Sequence, residues 1–228
     1  SSLLLVSLKH YLHICLTILL NFMKLAESTT EERILDAAMK VFTRKGYAAA
    51  RTEEIAKEAG INRALLHYYY RDKQTIFNLI FEPRFKEFFK GLFIIFEADN
   101  LTLFDKIRRM VEHEINTLIN HPDLARFIIT EIAQEPELLI EYGKKLGVNP
   151  RLFIEAFEKQ VAKEVGAGSI KPIEGKQLLI NIMSLCIYPF VAKPIIQTMM
   201  NVDEPAFYQM TEERKKQVSE FIINAIKK

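Results

Sequence analysis

Eight basic side chains fall between Lys40 and Thr75: Lys40, Arg44, Lys45, Arg51, Lys57, Arg63, Arg71 and Lys73. Four acids share the stretch, Glu53, Glu54, Glu58 and Asp72, which leaves it with four net positive charges against +2 for the whole 228-residue chain. A local excess of that sign, followed by the aromatic run Tyr68-Tyr69-Tyr70, suits contact with a phosphate backbone, where release of condensed counterions drives association. Other chemistries find no comparable support. The sequence holds no nucleophile–base pair and no glycine-rich phosphate loop, and His113 and His121 have no Cys or Asp at metal-ligand spacing. No catalytic residue, metal or cofactor is therefore expected, and the chain does not read as an enzyme. The two cysteines, Cys15 and Cys186, are too far apart and too few for a disulfide framework, so a cytoplasmic, reducing setting is expected.

The elements that must position these residues are helices. Period-two strand patterns are weak throughout, whereas apolar residues recur at three- and four-residue spacing. A first helix starts near Thr30, with Thr29 and Glu32 as a capping box and Ile34, Leu35, Ala38, Val41 and Phe42 on one face, and Gly46 ends it. A second starts at Thr52 as N-cap, with Glu53 and Glu54 in its first turn, and stops at Gly60. Asn62 caps a third, Arg63 to about Tyr69. Helix, short turn, helix is the helix-turn-helix spacing. Asp72 opens a fourth helix to about Glu97, where Pro83 calls for a kink or a break. Proline-punctuated helices follow over about 103–120, 123–135, 136–146 and 151–165. A long apolar stretch, Ile173–Met200, is divided by Pro189 and Pro194, and a last helix covers about Thr211–Ile226. The expected fold class is all-α, with a three-helix helix-turn-helix domain at 23–74 and a helical bundle at 75–228 that could hold a partner subunit and a small molecule.

The string ERILDAAMKVFTRKGYAAARTEEIAKEAGINRALLHYYYRDKQTIF, about Glu31 to Phe81, resembles the N-terminal domain of TetR-family (tetracycline-repressor-like) transcriptional regulators. The resemblance rests on F-x-x-x-G-Y, then T-x-x-x-I-A-x-x-A-G, a small turn, and an aromatic L-x-x-Y-Y before D-K. It implies a homodimer that binds a palindromic double-stranded DNA operator through both subunits and carries a C-terminal effector pocket. By position, Thr52, Tyr68 and Lys73 become phosphate contacts. Arg63, Ala64 and Leu65 lie at the exposed start of the third helix, where base edges are reached, and Arg63 is placed to take guanine; Asn62, the cap, and His67, which stands at the family's tyrosine, are further candidate DNA contacts. Ala64 followed by bulky Leu65 departs from the family's small residues there, so no operator sequence follows.

In the body, Glu114 falls on an apolar face made by Leu103, Ile107, Met110, Val111 and Leu118, and Glu131 falls among Leu124, Phe127, Ile128 and Ile132. Buried carboxylates need partners. Either these pair with Arg or Lys of a neighbouring helix or lie exposed at a rim, or they line a mainly apolar pocket with Phe89, Phe93, Met110, Phe127, Tyr142 and Phe157 and select a cationic or hydrogen-bond-donating effector. Leu178, Ile182 and Leu185, with Phe221 and Ile222 of the last helix, are candidates for a two-fold interface, since Ile173–Met200 is apolar on most sides. Segment 1–22 is apolar but interrupted by Lys9, His10 and His13. It is expected to be an upstream extension before a natural start at Met23, with an added helix or a membrane anchor as alternatives, and no membrane partner is expected. The resulting expectation is a dimeric repressor released from its operator by a small, mainly apolar effector. The alternatives are a DNA-binding regulator controlled by a protein partner or without effector, and an all-α lipid-binding or enzymatic bundle.

Overall fold

A computed structural model of the chain describes residues 29–228, except 134, 135, 146 and 148 and the side chains of 131 and 138. Segment 1–22 and the expected start at Met23 lie outside the described residues. Those described fold as helices joined by short turns, with an isolated antiparallel bridge between Ile170 and Lys227. They form two compact units, one ending at Phe77 and the other beginning at Asn78.

The first unit holds α1 (Thr30–Ala49), α2 (Thr52–Glu58), α3 (Arg63–Tyr69) and the first turn of α4 (Lys73–Glu97). The expected capping box closes α1: Glu32 N–H donates to Thr29 Oγ1 at 3.2 Å and Thr29 N–H to Glu32 Oε2 at 2.8 Å. Gly46 (φ 77°, ψ 165°) breaks the helical path within α1, and residues 47–49 add a further turn. Ile34, Ala37, Ala38, Val41 and Phe42 bury one face together with Ile55, Ala56, Leu66, Ile76 and Phe77. Phe42 and Phe77 meet edge to face at 5.4 Å, an arrangement the ring quadrupoles favour. One expectation is corrected here: the N-cap of α2 is Arg51, and Thr52 is its first helical residue. The Arg51 N–H meets Glu54 Oε2 at 3.4 Å, so the carboxylate three residues on satisfies the helix start without a Thr52 hydroxyl. Gly60 (φ 69°) turns the chain between α2 and α3, and Arg33 Nη2 donates to the Ala59 carbonyl beside it at 2.7 Å.

The second unit contains the rest of α4, then α5 (Leu103–Asn120), α6 (Pro122–Phe127, extended by a π-turn over Ile128–Ile132), α7 (Glu137–Lys145) and α8 (Pro150–Gly166). It closes with α9 (Gly175–Val191), α10 (Lys193–Met200) and α11 (Glu204–Ile226). Helix α4 does not break at Pro83; it runs on to Glu97, and the Arg84 guanidinium donates to the Ile80 carbonyl in that turn. Pro194 starts α10, so α9 and α10 diverge by 69° at Ala192. The last helix begins earlier than its apolar periodicity indicated, at Glu204, because Asp203 accepts the Ala206 N–H at 2.9 Å and Pro205 sits in the first turn. No single described helix is long and apolar enough to cross a membrane.

Candidate nucleic-acid interface and effector site

The outward face of α3 is built by what the helix buries and what it leaves out. Leu66 and Tyr70 are buried and Tyr69 is half-buried, which turns Arg63, Ala64, Leu65, His67 and Tyr68 outward. Tyr68 is 82% exposed and packs only edge-on against Tyr69, ring centroids 5.5 Å apart. Asn62 Oδ1 accepts the Leu65 N–H at 2.8 Å, so its carbonyl oxygen is spent on capping α3. Thr52 is half-buried at the start of α2.

Lys73 is placed differently from expectation. Its ammonium donates to the carbonyls of Tyr47 (2.6 Å), Ala50 (3.0 Å) and Ala48 (3.4 Å) and lies 4.2 Å from the Tyr47 ring centroid. Three carbonyls account for the three N–H donors of an ammonium. In this geometry Lys73 closes the C-terminal end of α1 and has no donor left for a phosphate. The other α1–α2 charges pair locally: Lys45 binds Glu54, which holds that carboxyl below its ordinary pKa, and Arg44 lies 3.5 Å from Glu58. The Thr75 N–H donates to Asp72 at the start of α4 and lowers the Asp72 pKa in the same way. Glu53, unmarked by sequence except as a helix-start acid, reaches across to Arg63: Oε1 and Nη1 are 2.9 Å apart. No spacing rule would have paired residues on two different helices.

In the second unit the expected pocket residues fall into separate groups. Phe127 stacks on Phe81 at 4.0 Å, and Phe89 and Tyr142 both pack on Phe85, at 4.4 and 5.3 Å. Phe157 instead meets Phe96 at 5.1 Å, beside Phe153. Met110 is fully buried and Phe93 half-buried. The Glu131 side chain lies outside the described residues. Glu114 is completely buried, and neither carboxylate oxygen meets a hydrogen-bond donor in regular geometry. Desolvation raises its pKa from 4.5 to about 8, opposed only by the Cys186 thiol. Burial and the Glu114 charge push the Cys186 thiol up in turn, against a small opposing pull from Arg214. Arg214 Nη2 donates to the Leu185 carbonyl at 2.9 Å, while its buried Nε has no partner. Three helices thus bring Glu114, Cys186 and Arg214 into one polar cluster inside apolar surroundings. Sequence periodicity located Glu114 but not its two neighbours, which lie far along the chain.

The candidate interface also changes. Ile182 is wholly inside its own unit, and Leu178 and Ile222 are nearly so. They are core residues, and Leu178 and Ile222 form at most the floor of a groove of about 330 Å³ between α9 and α11, edged by Leu185 and Phe221. The apolar side chains left outside are Ile180, Met183, Tyr188 and Val191 on α9, Ile195, Met199 and Met200 on α10, and Phe221 on α11, itself 67% exposed. Because α9 is apolar on both faces, periodicity could not tell which face the chain would cover itself.

A three-helix unit whose third helix is anchored by Leu66 and Tyr70 and turns an exposed face outward is a helix-turn-helix module. The chain matches, over residues 34–80, the family model for bacterial regulatory proteins of the tetR family. It is 26% identical over 193 residues to the probable HTH-type transcriptional regulator YttP of Bacillus subtilis, covering 80% of this chain and 88% of that one. It is 29% identical over 125 residues to the HTH-type transcriptional repressor SCO4008 of Streptomyces coelicolor, covering 51% and 61% of the two chains. Its fold is similar to that of the ketosteroid transcriptional regulator KstR2 of Mycobacterium tuberculosis, with a TM-score of 0.65, 13% identity, and 88% and 96% of the two chains covered.

Proposed function

We propose that the protein is a homodimeric transcriptional repressor that binds a palindromic operator through α3 of each subunit and is released by a small effector held in the second unit. The observation that carries the DNA-binding part is the outward face of α3: Arg63, Ala64, Leu65, His67 and Tyr68 are all exposed at the start of a helix that begins just after a tight turn. A helix presented in this way enters the major groove with its N-terminal residues on base edges. Repression is supported by SCO4008, which carries that function in its name and shares part of its sequence with this chain. Dimerisation is supported by the apolar face left open on α9 and at Phe221, since an uncovered apolar patch of this kind favours a partner surface. Effector control is supported by the buried Glu114 carboxyl, which has the Cys186 thiol beside it but no counter-charge and suits a mainly apolar ligand carrying a hydrogen-bond donor. The signal would pass along α4, the helix that begins in the first unit and continues into the second.

Selection of bound duplexes from a random pool by the full-length protein tests this. The expected product is a palindrome whose half-sites lie about one helical turn, ~34–36 Å, apart or a multiple of it. Recovery of sequences with no shared motif would remove the reading. Addition of candidate apolar amines or amides to the complex then tests effector release, with the Glu114→Gln protein as control.

A further inference from the structure

An acid on a DNA-facing surface is anomalous, because it repels the phosphates that supply most of the binding free energy. The first unit has three acids on α2, and two of them are accounted for by cations of α1: Glu54 by Lys45 and Glu58 by Arg44. Glu53 is the exception. Its partner is Arg63, the first residue of α3, and both side chains stay open to solvent, 51% and 65% exposed.

This pair presents a defined pattern. Arg63 Nη1 faces Glu53 Oε1 at 2.9 Å, and the exposure of both side chains leaves the rest of the guanidinium and of the carboxylate open to a ligand. Side by side they offer donors from the guanidinium and an acceptor from the carboxylate. The major-groove edge of a G·C pair offers the complement: the N7 and O6 acceptors of guanine, followed by the N4 amine of cytosine. We propose, resting on the DNA-binding function above, that Glu53 is a specificity-determining residue, which with Arg63 forms one composite edge selecting a G·C-containing step in the operator half-site. Arg63 takes the guanine bidentately, and Glu53 accepts from the N4 amine of a cytosine in the adjoining pair. Glu53 also acts by exclusion, because thymine O4 or guanine O6 at the cytosine position would set an acceptor against a carboxylate.

The test compares sequences selected from a random duplex pool by the full-length wild type, Glu53→Ala, Glu53→Gln and Arg63→Ala, with thermal unfolding run alongside to confirm that each variant folds. The wild type is expected to select guanine at one half-site position and cytosine at the adjoining one. Glu53→Ala should keep the guanine, lose about tenfold of its discrimination for cytosine over thymine at that position, and bind unrelated duplexes more tightly for want of the negative charge. Glu53→Gln should fall between the two, because its amide still offers one acceptor. Arg63→Ala should lose the guanine. An unchanged motif in Glu53→Ala overturns the inference, and so does loss of guanine preference alone, which would make Glu53 only a positioning residue for Arg63. If the wild type enriches no motif at all, the DNA-binding reading fails and takes the inference with it, an outcome distinct from both.

Discussion

The ammonium of Lys73 sits 2.6 Å from the Tyr47 carbonyl and 4.2 Å above the Tyr47 ring, joining the start of α4 to the end of α1 inside the first unit. The last carbonyls of a helix have no intrahelical partner, and a cation there also meets the negative end of the macrodipole. The break at Gly46 multiplies the exposed carbonyls at that end, and Lys73 collects three of them.

Lys73→Met should therefore act on stability. Three carbonyls, two of them in part-buried contacts, lose their donor, at a cost of about 1–3 kcal/mol, and the Tm of the first unit should drop. The dependence of DNA affinity on salt should hardly change, whereas loss of a phosphate contact would lower the slope of log K against log salt by about one. A flattened slope with an unchanged Tm would return Lys73 to the phosphates.

Glu114 makes stability depend on pH in the alkaline direction. Its folded pKa, about 8, stands above its ordinary 4.5. Between those values the folded chain holds a proton that the unfolded chain releases, so the stabilisation is complete below about pH 4.5 and is lost as pH rises through about 8. At about 1.4 kcal/mol per pKa unit the total is on the order of 3–5 kcal/mol. Unfolding titrations from pH 5 to 9 should show wild type weakening relative to Glu114→Gln, with the difference largest above pH 8. Parallel curves for the two proteins would place a cation or donor on the carboxylate.

Gly91 and His113 form a close helix–helix contact between α4 and α5. A Cβ at position 91 would lie 2.1 Å from the His113 ring, which itself bonds the Phe88 carbonyl through Nε2 at 2.9 Å. Gly91→Ala should cost about 1–3 kcal/mol by overpacking. Replacing His113 by Ala in the same chain should recover part of that loss, because the clash is with this ring. Additive losses in a double-mutant cycle would contradict the contact.

Phe221 tests the open face. Phe221→Asp puts a charge on a side chain that is already exposed in the single chain, so the Tm of the isolated chain should move little. Sedimentation should show a monomer where wild type is a dimer, and binding to a two-half-site duplex should fall far more than binding to one half-site. A dimer that survives the substitution would move the interface off α11.

Much of this architecture is local and so was legible in the chain. The Thr29–Glu32 capping box, the Asn62 cap, the left-handed turn at Gly60 and the three- and four-residue apolar spacing of α1 and α5 all act within a turn or two of backbone. They define the helix-turn-helix and the exposed face of its third helix without reference to distant parts. Locality also explains the errors. Thr52 is the commoner cap type, but Glu54 satisfies the Arg51 N–H instead, and the Asp203–Ala206 cap adds turns to α11 that its apolar pattern does not require.

Tertiary structure decided what depends on residues far apart in the chain. The basic stretch between Lys40 and Thr75 announced phosphate contact, yet only packing could show that Lys73 meets the end of α1 and that Arg63 meets Glu53. Glu114 was marked by its apolar neighbours, but its lack of a counter-charge and its company, Cys186 and Arg214, depend on how α5, α9 and α11 pack. The same holds for α9, where burial of Leu178 and Ile182 and exposure of Ile180 and Tyr188 divide a helix that is apolar on both sides. Hydrophobicity is non-directional, so a uniformly apolar helix states that it must be covered without stating by what.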